Sequence, residues 1–118
     1  MFNFEKLDVW QRAIDFADLV YKHTRHFPAD ERFGLTNQMR RAAVSVSSNI
    51  AEGTSRMSQT DFKRFIEIAT GSVFEVTSQS FVARRQGFLS EAHFRALYAA
   101  AEEVGRMLSG LRKSLTSK

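Results

Sequence analysis

Residues 36–53 read TNQMRRAAVSVSSNIAEG, and this stretch decides the fold. With Leu35 just ahead of it, Met39, Ala42, Ala43, Val46 and Ile50 recur at spacings of three and four residues. That is the period of a helix with one buried face. Thr36 is the expected N-cap, and Gly53, after Glu52, the expected left-handed terminator. Ser45, Ser47, Ser48 and Asn49 are interleaved with Val46 and Ile50. Serine, asparagine and valine are mediocre helix formers alone, so the segment needs tertiary packing to be helical. Small side chains let a neighbouring helix come close, and buried hydroxyls then need partners. The segment reads either as a tightly packed core helix whose serines bond back to its own carbonyls, or as a contact and binding segment.

Working outward, residues 1–8 form an extended lead-in whose Phe2, Phe4 and Leu7 can pack on a bundle. Asp8 is placed to cap a helix over Val9–His26, with Trp10, Ala13, Ala17, Val20 and Tyr21 as its stripe and Pro28 as its stop. On the other side, Ser58 and Asp61 make a capping box. They open a helix from Gln59 to Gln86 that buries Phe62, Phe65, Ile66, Ala69, Val73, Val76 and Phe81. Gly71 interrupts it at a cost of about 1 kcal/mol relative to Ala, which reads as a close helix crossing. Gly87 is the next C-cap and Ser90 the next N-cap. Phe94, Leu97, Ala101, Val104, Leu108, Leu111 and Leu115 then form the cleanest stripe of the chain, and the tail beyond Leu115 is expected to fray. Four helices, short connections and no strand predict an all-α fold. It is an antiparallel up-down-up-down four-helix bundle, with residues 1–118 as one domain.

Composition narrows the chemistry. The chain has 118 residues and no cysteine, which excludes disulfides and thiolate catalysis. Its three histidines, His23, His26 and His93, have no metal-ligand spacing. No apolar run approaches a membrane span and no leader peptide is visible, so a cytoplasmic protein without membrane contact is expected. The net charge of +4 is unevenly placed: residues 32–64 hold six basic and two acidic side chains, residues 1–31 four and six. This suits an acidic partner such as RNA or DNA. Eleven phenylalanines against two tyrosines and one tryptophan is a heavy load of rings without a polar handle. Either the core is rich in aromatics or some rings serve an interface between subunits.

The basic residues that could contact nucleic acid are Arg32, Arg40, Arg41, Arg56, Lys63 and Arg64. Adjacent helical residues point about 100° apart, so Arg40 and Arg41 cannot both face one partner. One of them is expected to be structural, paired with a carboxylate such as Glu75. Arg56, Lys63 and Arg64, grouped with Arg32, would make a positive end of the bundle, the plain alternative being a solvated surface. Asn49, Glu52, Ser72, Glu75 and Gln79 are polar groups on apolar-rich helices and read as a network across helices or subunits. The catalytic reading of Glu52 and Glu75 as a carboxylate pair lacks a cleft, a metal or a perturbed pKa in the sequence. No catalytic residue, metal site or cofactor is expected.

A resemblance follows from seven motifs. They are Leu7-x-Val9-Trp10, Phe27-Pro28-x-x-Glu31-x-Phe33-Gly34-Leu35, Gln38-x-Arg40-Arg41-Ala42-Ala43-x-Ser45 and Asn49-Ile50-Ala51-Glu52-Gly53. Phe62-x-x-Phe65, Ala69-x-Gly71-Ser72-x-x-Glu75 and Gly87-Phe88-Leu89 complete the set. Together they resemble the small four-helix-bundle proteins encoded by intervening sequences of bacterial 23S ribosomal RNA genes. Relatives often read Ser-Ile-Pro-Ser-Asn where this chain reads Ser45-Val46-Ser47-Ser48-Asn49, which regains one amide donor inside the helix. The family is similar in fold to the pentameric accessory protein of diversity-generating retroelements, which has a basic surface. The resemblance therefore implies a homo-oligomer, in particular a pentamer, that contacts RNA or DNA. The alternative is a structural or protein-binding module without nucleic acid.

Overall fold

The computed structural model describes residues 1–116, with Thr116 described in its backbone alone. After a 3-10 turn at Asn3–Lys6, α1 spans Asp8–Thr24. A second 3-10 turn at Ala29–Glu31 leads into α2, Leu35–Thr54, then α3, Gln59–Arg85, and α4, Glu91–Thr116. No strand occurs among the described residues. Each helix packs on the two beside it, α1 on α2 and α4, and α3 on α2 and α4. The result is the expected four-helix bundle, 46 Å long and 21–22 Å across. No helix among the described residues is long and apolar enough to cross a membrane. The expected fraying beyond Leu115 falls largely outside the described residues.

Every helix sends its stripe to one core. Phe16 and Val20 of α1, Met39, Val46 and Ile50 of α2, Ile66 and Val76 of α3, and Leu97, Val104 and Leu108 of α4 are fully buried. Each large side chain contributes about 1.5–3 kcal/mol by leaving water. The starts of α3 and α4 and the end of α3 also follow from local chemistry. The Asp61 amide donates to the Ser58 hydroxyl at 3.1 Å, and the His93 amide to the Ser90 hydroxyl at 3.1 Å. Gly87 adopts φ 80°, the left-handed conformation that closes α3 without a Cβ penalty.

Several local expectations fail. Asp8 does not cap α1 but is its first residue, with Leu7 in the N-cap position and no side-chain cap bond. The first amide of α2 is capped by Glu31 rather than by Thr36: Leu35 N–H donates to Glu31 Oε1 at 3.0 Å. The 3-10 turn places this carboxylate over the positive end of the helix dipole. Gly53 does not terminate α2, which runs on to Thr54. It is buried, and a Cβ there would lie 2.8 Å from Phe62 Cδ1 and 3.0 Å from Phe65 Cβ. Glycine is needed there for close approach of α3, not for a left-handed turn. Gly71, expected at a helix crossing, instead faces open space with nothing within 4 Å of its Cβ position.

The phenylalanines divide. Phe16, Phe27 and Phe94 are buried, and Phe4, Phe62, Phe65 and Phe88 are half-buried. Phe2, Phe33, Phe74 and Phe81 are exposed. Phe81, expected on the buried side of α3, is 43% exposed at the margin of the α3–α4 seam.

Candidate functional site

The paired arginines on α2 part company. Arg40 turns toward α1. Its Nε donates to the Thr24 hydroxyl at 2.9 Å and its Nη2 to the Tyr21 carbonyl at 3.4 Å. Its guanidinium also lies 4.6 Å from the centre of the Tyr21 ring. The carbonyls of the last turn of α1 have no helical partner, and a cation there offsets the negative end of the dipole. Thr24 itself is buried and donates to the Val20 carbonyl at 2.8 Å. Arg40 is therefore structural, as one of the pair was expected to be, but it bonds a hydroxyl and a carbonyl rather than Glu75. Glu75 instead accepts from Gln79 Nε2 at 3.2 Å within α3.

Arg41 is exposed and has no hydrogen-bond or ion-pair partner among the described residues. It lines two surface clefts. One, of about 510 Å³, also holds Tyr21, Asn37, Arg40, Ser45 and Ser48. The other, of about 280 Å³, lies toward α3 with Gln38, Ser45 and Glu75. Asn37, Arg41, Ser45 and Ser48 stand at spacings of four, four and three, so one helix face carries them all. That spacing was legible in the sequence and would have added Asn37 and Ser48 to the candidates. The roles of Thr24 and Tyr21 had no local signal, because they depend on how α1 docks.

The other basic candidates do not form one patch. Arg32 precedes α2 and Arg56 follows it, and a helix of 20 residues puts about 30 Å between its ends. The expected grouping of Arg32 with Arg56, Lys63 and Arg64 is thus not realised. Arg32 stacks on Phe33, 5.3 Å from the ring centre. Arg56 bonds Glu52 at 2.9 Å and lies 4.5 Å over the Phe65 ring. Lys63 and Arg64, on the first turns of α3, have no ion pair or hydrogen-bonded partner among the described residues.

The predicted polar network breaks into three pieces. Asn49 Nδ2 donates to Ser45 O at 2.8 Å and Ser45 Oγ at 2.9 Å, and Ser72 Oγ meets Ser45 Oγ at 2.9 Å. These three residues tie α2 to α3, with Ser45 at the centre. Glu52 belongs to Arg56, and Glu75 to Gln79. Taking Ser45 opposite Ser72, Glu52 and Glu75 lie about 15 Å apart along the antiparallel helices. They make no carboxylate pair.

Two groups have perturbed acidity. The His23 ring is buried and stacks on His93 with centres 4.0 Å apart and planes inclined by 19°. Burial chiefly, then the neighbouring His93 and Lys22, holds its pKa below the ordinary value of 6.5. Hydrogen bonding from Arg95, with the nearby Arg84, holds Glu91 below the usual carboxylate range. Among the described residues no group of three or more metal-ligating side chains exists.

Comparison with known proteins agrees with this geometry. No functionally curated protein matches the chain. The fold is similar to a crystal structure of a protein of unknown function from the S23 ribosomal protein family of Bacteroides thetaiotaomicron. The two share a TM-score of 0.80 at 20% identity, covering 89% of this chain and 98% of the other. Residues 5–110 match the 23S rRNA-intervening sequence proteins. With that match running through all four helices, this chain belongs to the 23S rRNA-intervening sequence protein family.

Proposed function

We propose that this chain is a non-enzymatic, self-associating helical-bundle protein that offers the outer face of α2 to the phosphates of RNA or DNA. The observation that carries this is the division of labour between Arg40 and Arg41. One guanidinium is engaged by α1, while its neighbour stands unpaired among hydrogen-bonding groups at Asn37, Ser45 and Ser48. Arginine in such a setting suits a phosphate oxygen, since its planar fork donates two bonds at once. Contacts to phosphate position a polyanion without reading its sequence. Lys63 and Arg64 lie about 20 Å from Arg41 along the bundle, so they would add charge to a long strand rather than share its phosphate.

The test is binding to 23S ribosomal RNA fragments across a salt series. Affinity should fall as salt rises. Arg41→Ala should weaken binding and make the slope of log K against log salt shallower by about one. Absence of binding at low salt, or affinity indifferent to salt, would overturn the nucleic-acid reading.

Self-association has its own support. Phe74 is 71% exposed and Phe33 84%, more bare aromatic surface than a monomer needs. The family resemblance implies a pentamer. Light scattering that returned a monomeric mass at micromolar concentration would overturn this part. The same exposed rings favour the second reading, a protein-binding module without nucleic acid.

A further inference from the structure

Between α3 and α4 runs an apolar groove of about 480 Å³. Its walls include Phe74, Phe81, Tyr98, Ala101 and Gly105, with Glu102 as the one charged side chain lining it. Phe81 meets Phe94 and Tyr98 edge-on, at centre distances of 4.8 and 6.2 Å, which props the groove open. On the connection between α1 and α2, whose Glu31 and Gly34 lie beside Val82 and Gln86 at the end of α3, Phe33 is the most exposed of the phenylalanines.

We propose that this groove receives Phe33 of a second copy of the chain, with Arg32 of that copy meeting Glu102 at its rim. The inference rests on the self-association reading above and names the surfaces that would carry it. Three observations support the pairing.

First, the Phe33 turn is held in place before any partner arrives. Glu31 N–H donates to the Pro28 carbonyl at 2.9 Å, Arg32 N–H to Ala29 at 3.2 Å, and Gly34 N–H to Glu31 at 3.0 Å. Glu31 also caps α2. A ring on so ordered a turn loses little freedom on docking, while its apolar face gains by leaving water. Second, charges match. The Arg32 guanidinium lies alongside the Phe33 ring, and neither Arg32 nor Glu102 has an ion-pair partner among the described residues. Third, the knob lies on the connection between α1 and α2, and no residue of that connection lines the groove between α3 and α4, so the groove is left unfilled within the chain. The two surfaces differ, which makes the contact head-to-tail. Repeated, such a contact closes into a ring or runs on as a filament.

Charge exchange tests the pairing, with mass measured by light scattering and fold checked by circular dichroism. Phe33→Ser touches no core position and should leave the helices intact while weakening self-association about tenfold or more, as expected for a central aromatic anchor. Arg32→Glu and Glu102→Arg should each weaken it, and the chain carrying both should regain it. A monomeric wild type would remove the self-association reading and this pairing with it. An oligomeric wild type whose mass is unmoved by Phe33→Ser would overturn the pairing and leave self-association standing. Failure of the double exchange to restore assembly would likewise overturn the contact between Arg32 and Glu102.

Discussion

Where α2 meets α3, the side chains are small: Ser45 touches Ser72, and Gly53 gives up its Cβ so that Phe62 and Phe65 can close in. Where α3 meets α4, the side chains are large, and Phe74, Phe81 and Tyr98 leave an open groove between the helices. The same helix, α3, takes part in both. Small residues bring backbones together and leave no room for a visitor, whereas rings hold backbones apart and leave apolar surface bare. One seam is closed tightly, whereas the other, though Val73 and Ala101 of its lining are buried, keeps an open apolar margin.

Core truncation should separate the two most sharply. Ile50 is fully buried in α2, and Ile50→Ala should cost about 2–5 kcal/mol in urea unfolding. Phe74 is 71% exposed, and Phe74→Ala should change the stability of the isolated chain by no more than about 0.5 kcal/mol. A large loss at Phe74 would mean that the groove belongs to the core and the contrast is false.

Glycine replacement sharpens the same point. Gly53→Val must push Phe62 and Phe65 aside and should destabilise by about 1–3 kcal/mol. Gly71→Ala meets nothing and should gain about 0.5–1 kcal/mol by removing glycine from a helix interior. Thermal melts of the two variants should therefore move in opposite directions.

The smallest effect concerns a third seam, between α1 and α4, where His23 stacks on His93. The folded chain holds the pKa of His23 below its ordinary value, so the unfolded chain binds the proton more readily. Stability from this group is complete above pH 6.5 and is lost as pH falls below that value. The melting temperature should be lower at pH 5.5 than at pH 7.5. His93→Gln removes one of the repelling neighbours and should narrow the gap. A gap that stays the same in His23→Gln, which removes the group itself, would assign the acid sensitivity to other groups.

What was legible in the sequence was whatever depends on neighbours within one turn or two. The stripe from Phe94 to Leu115, the serine caps at Ser58 and Ser90, and the left-handed Gly87 all follow from local spacing and backbone sterics. Most of what escaped was set by partners far along the chain; the Glu31 cap of Leu35 was local and depended on the turn between α1 and α2. Gly53 and Gly71 look alike in sequence, and only the approach of α3 gives one a packing role and leaves the other open. Phe81 sits in phase with a buried stripe, but the rings of Phe94 and Tyr98 keep it at the margin. Among the candidate residues, a division between Arg40 and Arg41 was foreseeable from helix geometry. Thr24 as the partner of Arg40 was not, because sixteen residues separate them. Membership in the 23S rRNA-intervening sequence family was legible from motif order, and the match over residues 5–110 bears it out.

The contact between Ser45 and Ser72 has a consequence for motion. A helix that ratchets past its neighbour moves by about one turn, 5.4 Å. Such a step would break the bond at both hydroxyls, and Asn49 would lose its role in fixing Ser45. The two helices are pinned in register. Sliding of α2 past α3 would forfeit this bond, about 0.5–1.5 kcal/mol, and the close contact at Gly53 as well.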